Sequence, residues 1–465
     1  MPSGPEGFVT QPSYSSEFTK ARGLLLAHPK RWRIVYHYDG DGIASACSIA
    51  RALTRLGYPF QTTPLKAVER GRMQELLTAT PGPVLVVDTG ASWLDLYVEH
   101  KQPVIILDHH RYPGFPNPPS LPDHVALVNP LDWGVDGMSE MCAATLSWLF
   151  TVFLDPKNWD NAPWGISGAI ADRQHIGGMR GLNARLLEEA VSRSLVVRAH
   201  RIALHGPSLG AALGRSIDPY YAGLSGRSEE SKSFLQELRI DPARPVDRLE
   251  PEEERRLVTA LTARLARQGV RPEFCELVAR DLWELPSVGL GAEELSNLQN
   301  ATGRIGTPGL GVAICFGDRS AIERARRAEE EWRTGILNGL RRIENDGVNS
   351  LGALQWFESA ETTLAGTQAG LAMNYLLDPR RPVFVFSHGE HDIKLSGRGT
   401  RWLVDQGLDL SSAVRDAAAS VHGEGGGHTV ASGATIPSGS RDAFLAEANR
   451  IIALQIAPLL KEAAR

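Results

Sequence analysis

Two unbroken apolar runs, Val84–Val87 and Val104–Leu107, do most to restrict what this chain can fold into. A strand that is apolar at every position has both faces covered, which is the signature of a parallel sheet with helices on either side. Each run stops at chemistry. The first ends in Asp88-Thr89-Gly90 and the second in Asp108-His109-His110. A third strand, Arg33 to Tyr38, ends in Asp39-Gly40-Asp41-Gly42, with His37 two residues before the first carboxylate, and the amphipathic stretch from Ile43 to Leu56 reads as the next helix. In open α/β sheets ligands bind at the carboxyl ends of strands. The glycines let that loop turn sharply and approach a ligand. Two interpretations of Asp39 and Asp41 stand side by side. They cap the next helix, as Asp often does, or they hold a divalent cation that relieves their repulsion. The recurrence of acid and imidazole at three strand ends favours the cation.

At 465 residues the chain exceeds one core, so two or three domains are expected. A hydrophobic content of 42% and a charged content of 22% describe an ordinary globular protein. The net charge of −5 excludes a general attraction to nucleic acid or anionic lipid. A polyanion site must then be a local basic patch. Cys47, Cys142, Cys275 and Cys315 are far apart with no CxxC pair, which indicates neither zinc nor a disulfide framework. Reduced thiols in a cytoplasmic protein are the simplest account. The polar start, Met1 to Thr19, lacks the pattern of a signal peptide, and no run of about 18 apolar residues offers a membrane span.

Residues 1 to 20 read as a loose lead-in. Val125 to Val128 is a further strand, Met138 to Phe153 a buried helix, and Trp164 to Ala171 a helix closing on Asp172. Residues 185 to 300 are helical in pattern and rich in charge, and Arg319 to Asn345 is a long charged helix whose mixed signs suit a solvated face. Strands are expected around Leu354–Phe357, Val383–Phe386 and Asp392–Leu395, with helices at Thr367–Leu377, Ser411–Ser420 and Asp442–Leu460. The predicted class is α/β. A doubly wound parallel sheet occupies 25–195, a mostly helical middle 196–339, and a smaller α/β domain 340–465. Carboxylate and imidazole without thiolate suit Mn2+ or Mg2+. A cation pair about 3.5–4 Å apart can lower the pKa of a bridging water and clamp phosphoryl oxygens.

Asp39-Gly40-Asp41-Gly42, Asp88, Asp108-His109-His110 and Asp172 together resemble the four motifs of the DHH phosphoesterase superfamily. Lys394-Leu395-Ser396-Gly397-Arg398 and Gly425-Gly426-Gly427-His428, with Ala431 and Gly433 after it, resemble the DHH-associated domain. Leu298 to Arg304 is similar to the Asn-Ala-x-Gly-Arg element of RecJ-type exonucleases, and Asp218 to Gly226 to archaeal RecJ-like nucleases. The resemblance covers nearly the whole chain.

By position, the resemblance implies Asp39 on one metal ion, Asp41 on the other, and Asp88 bridging both. His109 and Asp172 complete the second, and His110 donates to the scissile phosphate. His37 is a first-metal candidate that departs from the pattern. Phosphatase-like branches carry a His where this chain has Val35, and many RecJ proteins carry Asp at the position of His37. Ser396, Arg398, Gly426, Gly427 and His428 would grip substrate phosphate, through a glycine-loop anion nest and an Arg fork. Asn300 and Arg304 would contact the strand between two lobes. The implied activity is a two-metal, Mn2+- or Mg2+-dependent exonuclease on single-stranded DNA or RNA, with GINS as a candidate partner. The rivals are a phosphodiesterase for short oligonucleotides or cyclic dinucleotides and a RecJ-derived replisome scaffold.

Overall fold

The computed structural model describes residues 15–66, 70–117, 120–360, 362–389 and 392–457. The chain packs as two units. The first runs up to Arg201 and takes in Asp281–Glu330. The second is Ile202–Arg280 with the chain from Glu331 onward.

The first unit is built on five strands, β1 (Trp32–His37), β2 (Phe60–Leu65), β3 (Val84–Val87), β4 (Val104–Leu107) and β5 (Val125–Val128). Their order is β2-β1-β3-β4-β5, and every neighbouring pair is parallel. β3, β4 and β5 are buried at all four positions. Side chains on alternate positions feed two cores. Ile34, Tyr36, Leu85, Ile105 and Leu107 pack with the helices Gly40–Leu56, Ala143–Leu154 and Ala162–Ala171. Val35, Val84, Val86, Val104 and Ile106 pack with Met73, Leu76, Leu77 and Tyr97. After β1 the chain moves outward to β2 and returns beyond β1 to β3, so the winding reverses between β1 and β3. That reversal opens the crevice where doubly wound sheets bind ligands.

Three features depart from the sequence reading. Within the expected lead-in, Ser15–Ala27 is a helix, because Phe18, Ala21 and Leu25 fall on one face and bury against the core. Phe18 meets Trp133, Phe150 and Phe153 edge-on or tilted. The residues before it lie outside those described. β2 had no apolar signature, since an edge strand of sequence FQTTPL is only half covered and can carry Pro64. The middle region, helical in the main, also holds a three-stranded sheet of order β6-β7-β8, with β6 Val197–Ile202, β7 Ala279–Leu285 and β8 Leu290–Gly291.

The second unit carries a six-stranded sheet of order β13-β14-β12-β11-β10-β9. Its strands are β9 (Asn349–Leu351), β10 (Leu354–Glu358), β11 (Val383–His388), β12 (Asp392–Arg398), β13 (Glu424–Gly427) and β14 (Ala431–Pro437). β10 and β11 are parallel and the other pairs antiparallel. Helices Thr362–Tyr375, Leu410–Ser420 and Arg441–Gln455 accompany it. The last was expected to reach Leu460, which lies outside the described residues. The segment from Asp218 to Gly226 wraps the end of the Arg319–Asp346 helix. Glu344 accepts hydrogen bonds from the Tyr220 hydroxyl at 2.6 Å, the Gly223 amide at 2.9 Å and the Arg227 guanidinium at 2.8 Å.

Candidate metal centre

The carboxyl edge of the first sheet gathers the predicted ligands. The Gly40–Leu56 helix starts three residues earlier than its apolar pattern indicates, so Gly40, Asp41 and Gly42 form its first turn. Asp39 is its N-cap and accepts the Gly42 amide at 3.2 Å. Capping and ligation are therefore compatible, because the bond uses one carboxylate oxygen while the other faces His37. The loop is tight, and a Cβ at Gly42 would strike the His37 carbonyl.

Two groups of donors share one carboxylate. His37 Nδ1 lies 3.0 Å from Asp39 Oδ2 and 3.5 Å from Asp88 Oδ2. His109 Nε2 lies 3.3 Å from Asp88 Oδ1 and 3.7 Å from Asp41 Oδ2, and His109 Nδ1 lies 4.0 Å from Asp172 Oδ2. Asp88 thus aims one oxygen at each group. It follows β3 directly with φ of 57°, a left-handed conformation that Asp tolerates better than most residues. His37, Asp39 and Asp88 form one set whose donor atoms all lie within 4.8 Å of one another, Asp41, His109 and Asp172 form a second, and Asp88, Asp108, His109 and His110 form a third.

Asp41, His109 and Asp172 are held from behind. Asp41 sits at the amino end of the Ala143–Leu154 helix and accepts the amides of Ala143 at 3.0 Å and Ala144 at 2.8 Å, where the helix dipole favours an anion. The Gly137 carbonyl is 2.6 Å from His109 Nδ1. It fixes the tautomer and leaves Nε2 for a cation. Asp172 caps the Ala162–Ala171 helix. Asp108, 1% exposed, accepts the Ala91 amide at 2.9 Å and engages His110 Nδ1 at 2.7 Å. It orients His110.

The electrostatics call for cations. Burial, and then the charges of Asp88 and Asp172, push Asp41 well above the usual carboxylate range. Burial raises Asp172 to about 6. Burial alone would lower His37 and His109, but the surrounding carboxylates hold both well above the ordinary imidazole value. For Asp39, burial is outweighed by His37, Arg304 and the Gly42 amide, which keep it low. Buried acids that repel one another beside imidazoles that act as their counter-ions form a hard donor set for a divalent metal.

Asn300 and Arg304, expected to touch substrate, are half-buried in the first unit and pack against the loop of Asp39 and Asp41. Asn300 Oδ1 accepts the Gly40 amide at 2.9 Å. Arg304 donates to the Tyr38 hydroxyl at 2.6 Å and stacks over its ring. Gly303 abuts the Tyr38 carbonyl, where any Cβ would collide. The remaining five expected residues lie on the second unit's sheet. Ser396 and Arg398 share a face of β12 and pair across to Gly433 and Ala431 of β14. The expected glycine loop is instead the edge strand β13, with Gly426 opposite Gly433 and Gly427 opposite Ser432, and His428 starts the hairpin into β14. A Cβ at Gly427 would collide with the Ala431 carbonyl, so the turn out of β13 needs glycine there. Gln174, which donates to Asp172, and Asn183, which donates to Gln174, are both buried and belong to no sequence motif; the nearness of Gln174 to Asp172 in the chain is their one signal.

Residues 31–172 match the family model described as the DHH family N-terminal domain, and residues 360–454 match the DHHA1 domain. An uncharacterized protein of Methanocaldococcus jannaschii is 28% identical over 450 residues, which is 94% of this chain and 97% of that one. Among solved structures, RecJ of Thermus thermophilus in complex with Mn2+ aligns with a TM-score of 0.59 and 18% identity over 96% of this chain. This chain spans about half of that protein's length, 55%. CDC45 of Entamoeba histolytica aligns with a TM-score of 0.66 and 9% identity, covering 95% of this chain and 99% of the other. These distant likenesses describe a shared fold. Among the described residues no helix is long and apolar enough to cross a membrane.

Proposed function

This chain belongs to the DHH superfamily and carries its associated DHHA1 domain, and we propose that it is an exonuclease hydrolysing single-stranded nucleic acid with two divalent cations, Mn2+ or Mg2+. The observation that carries the reading is Asp88, whose two oxygens face two separate donor groups. His37 and Asp39 would hold one ion with Asp88. Asp41, His109 and Asp172 would hold the other. When bound, such a pair activates water and neutralises charge on a phosphoryl group.

The chain's own residues supply the rest. Asp108 holds His110 by Nδ1, so Nε2 is the atom that would donate to a phosphate oxygen. Burial and His109 would lower His110, but Asp108 outweighs them and raises it, which favours the donor form. Asn300 and Arg304 would keep the loop of Asp39 and Asp41 in place. Ser396, Arg398, Gly426, Gly427 and His428 would grip substrate phosphates, with Arg398 supplying the charge. The RecJ likeness over nearly the whole chain supports a polynucleotide substrate. The complete donor set weighs against a scaffold that has lost its chemistry. Association with GINS is a separate proposal, tested by pull-down.

End-labelled single-stranded DNA and RNA, incubated with Mn2+, Mg2+ or chelator, test the proposal. Stepwise shortening that needs a cation is expected, and long oligomers should be cut in preference to dinucleotides. Cleavage confined to dinucleotides would transfer the reading to the small-substrate rival.

A further inference from the structure

Behind the second donor group runs a chain of uncharged polar side chains that no motif predicted. Gln174 is 4% exposed and Asn183 and Thr145 are fully buried. The Gln174 amide uses both hydrogens. Nε2 donates to Asp172 Oδ2 at 2.7 Å and to the Gly137 carbonyl at 2.8 Å. That carbonyl is the one His109 Nδ1 engages. One amide thus ties the two ligands together. Its orientation is settled from the other side, because Gln174 Oε1 accepts Asn183 Nδ2 at 2.6 Å. Asn183 Oδ1 in turn faces the Thr145 hydroxyl at 2.7 Å. Thr145 lies in the first turn of the Ala143–Leu154 helix, one residue past the amides that hold Asp41.

The relay therefore begins at Asp172, passes His109, and ends at the helix terminus that grips Asp41. We propose that Gln174, Asn183 and Thr145 are positioning residues that hold Asp41, His109 and Asp172 at the spacing of one divalent cation, and so set the affinity of the second ion without touching it. The relay stays neutral throughout, so it orients the carboxylates without competing with the cation for them. A charged residue in its place would either neutralise Asp172 or repel it. A buried network that is satisfied at every member is rigid, and partners of this kind typically change metal affinity 10- to 100-fold when lost. The inference rests on the two-cation reading above.

Titration of the full-length, metal-free chain with Mn2+, counting free ion by electron paramagnetic resonance, separates the two. The parent chain is expected to bind two ions. Gln174→Met keeps the volume and removes every hydrogen bond, so one of the two ions should bind about 10- to 100-fold more weakly while the other is unchanged. Thr145→Val breaks the far end of the relay, together with the bond by which the same hydroxyl accepts the Cys142 amide at the start of that helix, and should shift the same ion in the same direction. Thr145→Ser, which restores the hydroxyl, should return it to the parent affinity, a rescue that a purely packing role would not give. If Gln174→Met does not fold, the Val and Ser pair at Thr145 decides alone. Variants that bind both ions as tightly as the parent overturn the inference and leave the proposed function standing. A parent chain that binds no second ion overturns both.

Discussion

Asp88 occupies the position on which the proposed chemistry turns. Its side chain is 3% exposed and lies between two imidazoles, His37 and His109. Asp88→Asn keeps the shape and removes the negative charge. It should lower turnover at least about a thousandfold, a size consistent with losing a preorganised electrostatic group, while the metal-free melting temperature stays within a few degrees of the parent. Turnover within tenfold of the parent would count against a shared carboxylate. A second residue-scale expectation concerns pH. Asp172 is raised to about 6, and Asp41, His37 and His109 are raised as well. The metal-free fold therefore holds protons at these groups more tightly than the unfolded chain does. The resulting stability is present at low pH and is lost as pH rises through those elevated values. Asp39 and Asp108 are lowered, and their contribution disappears only below the ordinary carboxylate range. Between pH 5.5 and 8 the first group dominates. Protons and cations also compete for Asp41 and Asp172. Added Mn2+ should therefore raise the melting temperature more at pH 8 than at pH 5.5, and scanning calorimetry at both pH values checks this. An equal rise at both would contradict it.

At the scale of elements, the Ala292–Arg304 helix braces the loop that carries Asp39 and Asp41. Asn300→Ala leaves the Gly40 amide without its carboxamide partner, at a cost of about 1–3 kcal/mol. Gly303→Ala drives a Cβ into the Tyr38 carbonyl and should cost about as much by overpacking. Both should reduce turnover more than binding of a labelled oligomer, and urea unfolding against steady-state kinetics would measure the two effects. What was legible in the sequence follows the same physics. Strands β3 and β4 were readable because burial on both faces demands four apolar residues in a row. The acids at their ends were readable because a strand end opens to the crevice. β2 and β13 were not, since edge strands carry polar residues or glycine and leave no periodic trace. The bracing role of Asn300 was hidden for another reason. It depends on a contact across 260 residues of chain, which no local pattern encodes.

For the molecule as a whole, each unit is discontinuous in sequence. Residues Asp281–Glu330 belong with the sheet of the first unit and Ile202–Arg280 with the second. The local pattern of the chain could not reveal that exchange, because the affinity lies between distant apolar faces such as those of Leu295 and Leu298 with the first core. The second unit presents Ser396 and Arg398 on one strand face, backed by the close approach of Gly366 to the Arg398 guanidinium. If that face binds substrate phosphate, Arg398→Ala should raise KM for a single-stranded oligomer about tenfold, the size of one charge-assisted hydrogen bond. kcat should change less than twofold. A matched fall in kcat with KM unchanged would assign Arg398 another role.

Anomalous diffraction at the manganese edge from crystals soaked in Mn2+ would locate a pair of cations sharing Asp88. Two peaks about 3.5–4 Å apart are predicted, one against His37, Asp39 and Asp88, the other against Asp41, Asp88, His109 and Asp172. A single peak, or a pair that leaves Asp88 without contact to both, would rule out a shared carboxylate.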